Sequence, residues 1–304
     1  MRNALTTILA GLAGGVFGLP ASAATLYGNL TPNNQMAIAS RPGNPFEIEA
    51  ADDFVLNSPS KIASASFVGL TVPGSGSGFS VSQVVVEVYR VSPLDSNTTR
   101  TPNVPTRANS PSDVAFDSRD STAGGLNFST STLAVSFTAS NSIQAGGIHP
   151  KPNQQTLGNG PLAGQEVAFG VTFTTPFTLP ADHYFFVPQV QLTNGAQFYW
   201  LSASRPISGA GNTPFSPDLQ AWTRDANLDP DWLRVGSDIV GGAPPPTFNA
   251  AFSLSGSVVP EASTVWLFLA GLAMLALFRI RSSGGTELSH PDRRRNEAYD
   301  AYIL

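Results

Sequence analysis

The chain has 304 residues, 41% hydrophobic and only 12% charged, with 28 Gly, 25 Pro, no Cys and a net charge of −5. So few charges and so many turn-formers argue against a helical bundle. The 19 Phe, 6 Tyr and 4 Trp supply enough apolar bulk to argue against disorder. Absence of Cys excludes a disulfide framework, a thiolate zinc site and a cysteine nucleophile. With no basic excess to hold a phosphate backbone, no nucleic-acid partner is expected.

The first 23 residues read as a secretory signal peptide. Arg2 opens it, Ala4 to Leu19 carries no charge, and Pro20 ends the apolar run. Ala21 and Ala23 are the small residues that signal peptidase takes at its −3 and −1 positions, so cleavage after Ala23 is expected. An N-terminal membrane anchor is the alternative, but the stretch is short and rich in Gly and Ala.

The exported body follows, residues 24–259 between the two end signals, with its domain expected over 24–256. Residues 24–259 hold 10 Lys+Arg against 16 Asp+Glu, a net of −6. No fixed-period repeat supports a solenoid or propeller. Ala51-Asp52-Asp53-Phe54-Val55-Leu56, followed by Ile62 to Leu70, resembles the opening of many exported bacterial sandwich domains, a likeness that implies a jelly-roll-type fold and names no ligand. Strand-like runs come at Ile62 to Val72 and Val81 to Val91, joined by Gly74 to Gly78, a flexible connection. Ser92 to Pro111 and Asn141 to Pro161, rich in Pro, Asn and Ser, read as long surface loops.

Period-two alternation marks three further strands with one buried face. Leu133, Val135 and Phe137 alternate with small or polar residues, as do Val167, Phe169, Val171 and Phe173, and then Phe248, Ala250, Phe252 and Leu254. Tyr184–Leu192 and Gln197–Leu201 flank Asn194-Gly195, which predicts a hairpin with a tight turn. Ser216 to Trp222 reads as a short helix, with Ser216 as its N-cap and Pro217 at its first position. Gly241 to Pro246 is a break before the last strand.

Three constellations could carry chemistry. Asp225, Asn227, Asp229 and Asp231 place oxygen side chains at alternate positions, as calcium loops do. The sixth and twelfth positions hold Pro230 and Gly236 rather than Gly and Glu, so a solvated turn competes with a calcium site. Trp200, Trp222 and Trp232 could form an aromatic platform for a saccharide, against ordinary core packing in which each polar tip needs one partner. His149 and His183 stand outside any Gly-x-Ser-x-Gly elbow or His-Glu-x-x-His motif. Asp52 and Asp53, as strand neighbours, should point to opposite faces and not converge on one bond, so no enzyme is expected.

Near the C-terminus, Ala262 to Phe278 is 17 residues without a charge, between Glu261 and Arg279. That is about 25 Å of helix, at the short limit for a bilayer. Arg279 and Arg281 follow, which keeps the C-terminus cytoplasmic; a buried core helix is the alternative. Val259-Pro260-Glu261, the apolar run and Arg279 with Arg281 together resemble the PEP-CTERM sorting signal of Gram-negative bacteria. Ala262 stands where that family usually has Pro, and 23 residues follow Arg281. The resemblance implies processing by a membrane protease of the exosortase class and delivery to the cell envelope or extracellular matrix.

The expected protein is therefore all-β, an antiparallel jelly-roll-like β-sandwich with a signal peptide and one transmembrane helix. Its parts are residues 1–23, the exported domain 24–256, the sorting segment 257–281 with a helix over 262–278, and a cytoplasmic tail over 282–304. Its expected partners are signal peptidase, an exosortase-type protease and the membrane. Its expected role is structural or interactive, needing no cofactor; the alternative is a lectin-like module for exopolysaccharide, with calcium as the one candidate metal.

Overall fold

The computed structural model describes residues 23–43, 45–76, 78–96, 109–149, 155–204, 218–225, 232–259 and 269–275. The chain divides into two compact units, Met1–Val259 and Pro260–Leu304. The first unit is built of strands: β1 Ala24–Asn29, β2 Pro32–Ala39, β3 Ile48–Leu56, β4 Ser60–Val72, β5 Val81–Arg90, β6 Asp117–Asp120, β7 Leu126–Ala139, β8 Asn141–Ile143, β9 Leu162–Leu179, β10 Asp182–Leu192, β11 Gln197–Ala203, β12 Trp222–Asp225, β13 Leu233–Arg234, β14 Asn249–Ala250 and β15 Phe252–Val258. They form two layers. One sheet runs β1-β15-β4-β11-β2-β8, with β9 and then β7 attached to β4 and β14 to β11. The other runs β13-β12-β3-β10-β5-β6. Pairing is antiparallel except between β2 and β8.

Period two becomes burial where one face of a strand meets the other layer. On β9, Val167, Phe169, Val171 and Phe173 are buried while Thr172 and Thr174 are exposed. Phe169 stacks on Phe67 of β4, ring centroids 4.9 Å apart, and meets Phe198 of β11 edge-on at 5.3 Å. Phe186 of β10 crosses from the opposite layer to stack on Phe252 at 4.9 Å. These rings are the centre of the core between the sheets.

The six-stranded sheet is covered on both faces. On its outer side Ala51, Tyr89, Phe185, Val187, Leu219, Trp222 and Trp232 make a second apolar cluster. That is why β3 and β10 are buried almost throughout rather than at alternate positions.

Four sequence expectations need correction. Asn194 and Gly195 do take positive φ, 57° and 71°, and Ala196 N–H donates to Thr193 O at 3.1 Å, so the tight turn is present. It is not a hairpin, because β10 lies in the six-stranded sheet between β3 and β5, while β11 pairs with β2 and β4 in the other. With both edges of β10 occupied, the turn carries the chain from one layer to the next. Leu133 and Val135 are 53% and 83% exposed, because β7 is the outermost strand beside β9. Asp218 to Ala221, the described part of the expected helix, is not helical: Gln220 has φ 63°, its N–H is held by Asp218 Oδ1 at 3.0 Å, and Trp222 opens a strand. Within the expected loop after Ala139, Asn141–Ile143 is a short strand, paired parallel with β2. A π-helical turn, Val235–Val240, precedes the Gly-Pro break without a sequence signal of its own.

In the second unit, residues 269–275 are helical, with Leu269, Leu272, Met274 and Leu275 exposed. Among the described residues no helix is long and apolar enough to cross a membrane. The rest of the 262–278 segment lies outside the described residues, as does the tail 282–304.

Candidate functional site

The densest arrangement of titratable groups among the described residues lies on the outer face of the six-stranded sheet. Register sets it there: Arg224 of β12 is opposite Glu49 of β3, and Glu87 of β5 lies between Val187 of β10 and Ser118 of β6. Glu47 enters from the approach to β3. The three glutamates offer carboxylate oxygens within 4.8 Å of one another.

One phenol joins them. Tyr89 Oη lies 2.7 Å from Glu49 Oε1 and 2.8 Å from Glu87 Oε2, and accepts a hydrogen bond from Arg224 Nη2 at 3.1 Å. A hydroxyl has one proton and cannot donate to both carboxylates at once. A proton on Glu87 lets all three contacts be hydrogen bonds. Burial pushes the Glu87 carboxyl up to about 7, with the charge of Glu49 adding to it. Burial likewise raises Glu47, while the Gln189 amide, donating to Glu47 Oε1 at 2.9 Å, opposes the shift.

Arg224 is the cation of this site. Its Nε donates to Glu49 Oε2, and its guanidinium lies 4.5 Å over the ring of Trp232 and 5.5 Å over that of Tyr89. Burial opposes its charge, but Glu49 outweighs this and holds its pKa above the usual value. The carboxylate oxygens and the buried Gln189 Oε1, which has no hydrogen-bond partner, are ligands of the type a hard cation takes. Arg224 already balances Glu49, however, and a metal would have to compete with it.

None of these residues stood out in the sequence as a site. The available signal was Glu47-x-Glu49 and Glu87-x-Tyr89, ionisable residues at same-face spacing at or within strand runs of a chain that uses charge sparingly.

The three candidate tryptophans are core residues. Trp200, Trp222 and Trp232 are 0%, 1% and 1% exposed, so they present no open saccharide platform. Each indole N–H has one carbonyl partner: Ala251 O at 3.0 Å, Leu219 O at 2.9 Å and Ser112 O at 3.2 Å, respectively. Of the expected calcium loop, Asp225 is described, buried at the end of β12; Asn227, Asp229 and Asp231 lie outside the described residues.

Asp52 and Asp53 diverge, as strand neighbours should. Asp52 accepts the Ala250 N–H from the other sheet at 2.8 Å, and Asp53 lies 2.5 Å from His183 Nε2 within its own. Both carboxyls are raised, first by burial.

Of the sorting and cleavage residues, Ala23 is exposed just before β1. Val259 is 37% exposed and donates its N–H to Pro59 O at 2.8 Å. Ala21, Pro260, Glu261, Arg279 and Arg281 lie outside the described residues. Compared with protein families, curated proteins and solved structures, the chain matches none.

Proposed function

We propose that this is an exported, non-catalytic protein of the cell envelope or extracellular matrix, held at the inner membrane by its C-terminal apolar segment until an exosortase-type protease sorts it. The body belongs, in this reading, with jelly-roll-like sandwiches, and its role is structural or interactive. The observation that carries the proposal is where the folded strands lie. Among the described residues, β1 to β15 run from Ala24 to Val258, between the expected signal-peptidase cut and Pro260-Glu261, and the compact unit that holds them ends at Val259. A strand-built body lying between the two expected processing signals supports the reading of a sorted cargo.

The lectin-like alternative loses its aromatic platform to the core and rests on the Asp225–Asp231 loop alone. The test of the main reading is replacement of Pro260 and Glu261 by Ala. The variant should insert normally and accumulate as full-length precursor in the membrane fraction. Processing equal to wild type would overturn the sorting assignment, and retention of both proteins unprocessed would leave a plain membrane anchor.

A further inference from the structure

Among the described strands, the first half of β7, Leu126–Thr132, is a sheet edge with no charge, no Pro and no bulge. β6 is four residues long and carries Asp117, Arg119 and Asp120; β8 and β13 have three and two residues; β1 is broken by a bulge between Thr25 and Tyr27. These are the usual ways of blunting an edge. β7 spans 14 residues and pairs only with β9. From Leu126 to Ile143 there is no charge, no Pro and no Gly.

The edge is regular in its first half. Leu126 to Thr132 runs in unbroken register with Phe173 to Val167, and the bulges begin only after Thr132. Thr174 N–H donates to Gly125 O at 3.1 Å, so Gly125 turns its carbonyl toward β9. By strand alternation the N–H and C=O groups of Phe128, Thr130 and Thr132 face the open side. Asn127 to Thr132 are all exposed, Phe128 among them.

We propose that β7 is a self-association edge: two copies pair antiparallel through Phe128–Thr132 about a twofold axis at Thr130, joining their larger sheets into one. The occupant follows from charge and side-chain pattern. Residues 126–143 carry no charge, so a second copy pairing on this edge sets no like charges against each other. Pairing about Thr130 sets Thr130 against Thr130, Ser129 against Ser131 and Phe128 against Thr132. Two of these pairs set hydroxyl against hydroxyl and the third sets an aromatic ring against a β-branched residue, both favourable in cross-strand pairs, and no charges meet. A twofold antiparallel pair uses the same edge on both copies and closes at two. It requires only the folded body and is independent of the sorting reading.

The chain has no Cys, so Thr130→Cys introduces a single thiol. In the full-length protein in detergent, a short thiol-to-thiol cross-linker should convert this variant to dimer. Ala181→Cys, on the exposed turn between β9 and β10, should stay monomeric. Thr130→Lys should lower the dimer fraction by about tenfold with an unchanged circular dichroism spectrum, because like charges directly opposite destabilise a strand pair. In the unmodified protein the amides of Phe128, Thr130 and Thr132 should gain protection from hydrogen exchange as concentration rises. Sedimentation as a monomer at every concentration, with Thr130→Cys linking no better than Ala181→Cys, would overturn the proposal. So would a dimer that survives Thr130→Lys with these amides unprotected, since it would form through another surface.

Discussion

Arg224 lays its guanidinium 4.5 Å over the ring of Trp232 and holds the buried carboxylate of Glu49 at the same time. Arg234 covers Trp222 in the same way at 4.8 Å. One indole face of Trp232 and one of Trp222 are thus taken up by the protein's own cations.

Removing that cation should be costly. Arg224→Met leaves Glu49 buried without a counter-charge, and we expect a loss of about 3–5 kcal/mol in denaturant unfolding. Adding Glu49→Gln to the same chain should recover most of it. If the double variant is no more stable than the single one, packing of Arg224 on Trp232 carries the effect instead.

The raised carboxyl of Glu87 makes stability depend on pH with a defined sign. Its folded value, about 7, lies above the ordinary 4.5, so the folded state holds a proton that the unfolded chain has released. Its contribution is complete below about pH 4.5 and is lost as pH rises through about 7, amounting to about 1–3 kcal/mol. Asp52, Asp53 and Glu47, also raised, act in the same direction. Glu87→Gln should flatten the fall in melting temperature between about pH 5 and 8 and leave the variant more stable than wild type at the upper end. Parallel curves for the two proteins would remove Glu87 from the proton count.

Two apolar residues of similar sequence context should behave oppositely. Phe169→Ala removes a ring that is 0% exposed and in contact with Phe67 and Phe198, at a cost of about 3–5 kcal/mol. Val135→Ala, at a position 83% exposed, should change stability by less than about 0.5 kcal/mol. Equal losses in chemical denaturation would mean that β7 is covered in solution.

The two ends can be tested apart from the body. Ala23→Phe should block or displace signal cleavage, read by N-terminal sequencing of exported protein. Leu272→Arg, near the middle of the apolar segment, should cost about 2.5–3.5 kcal/mol on an insertion scale and release the protein from membranes. Membrane retention unchanged by Leu272→Arg would count against a spanning helix.

Composition, β-rich runs such as Tyr184–Leu192 and period-two patterning were enough to identify an all-β body and to place Val167–Phe173 on a strand, because large apolar residues at alternate positions can be buried on one face of an extended chain. The alternating Phe248–Leu254 divides into β14 and β15 at Ala251. Asn194-Gly195 was likewise legible as a tight turn, because positive φ is a local property of those residues. Only the tertiary structure decided which sheet each strand joins. The two strands at that turn part into different layers because β3 and β5 already flank β10, and pairings so distant in sequence leave no local mark. The same alternation describes Phe169, which is buried, and Val135, which is not, since period two records an amphipathic strand and not whether another layer covers it. The glutamate cluster was illegible for the same reason: Glu47, Glu49, Glu87 and Arg224 come from three separate stretches of chain, and strand register alone brings their charges together.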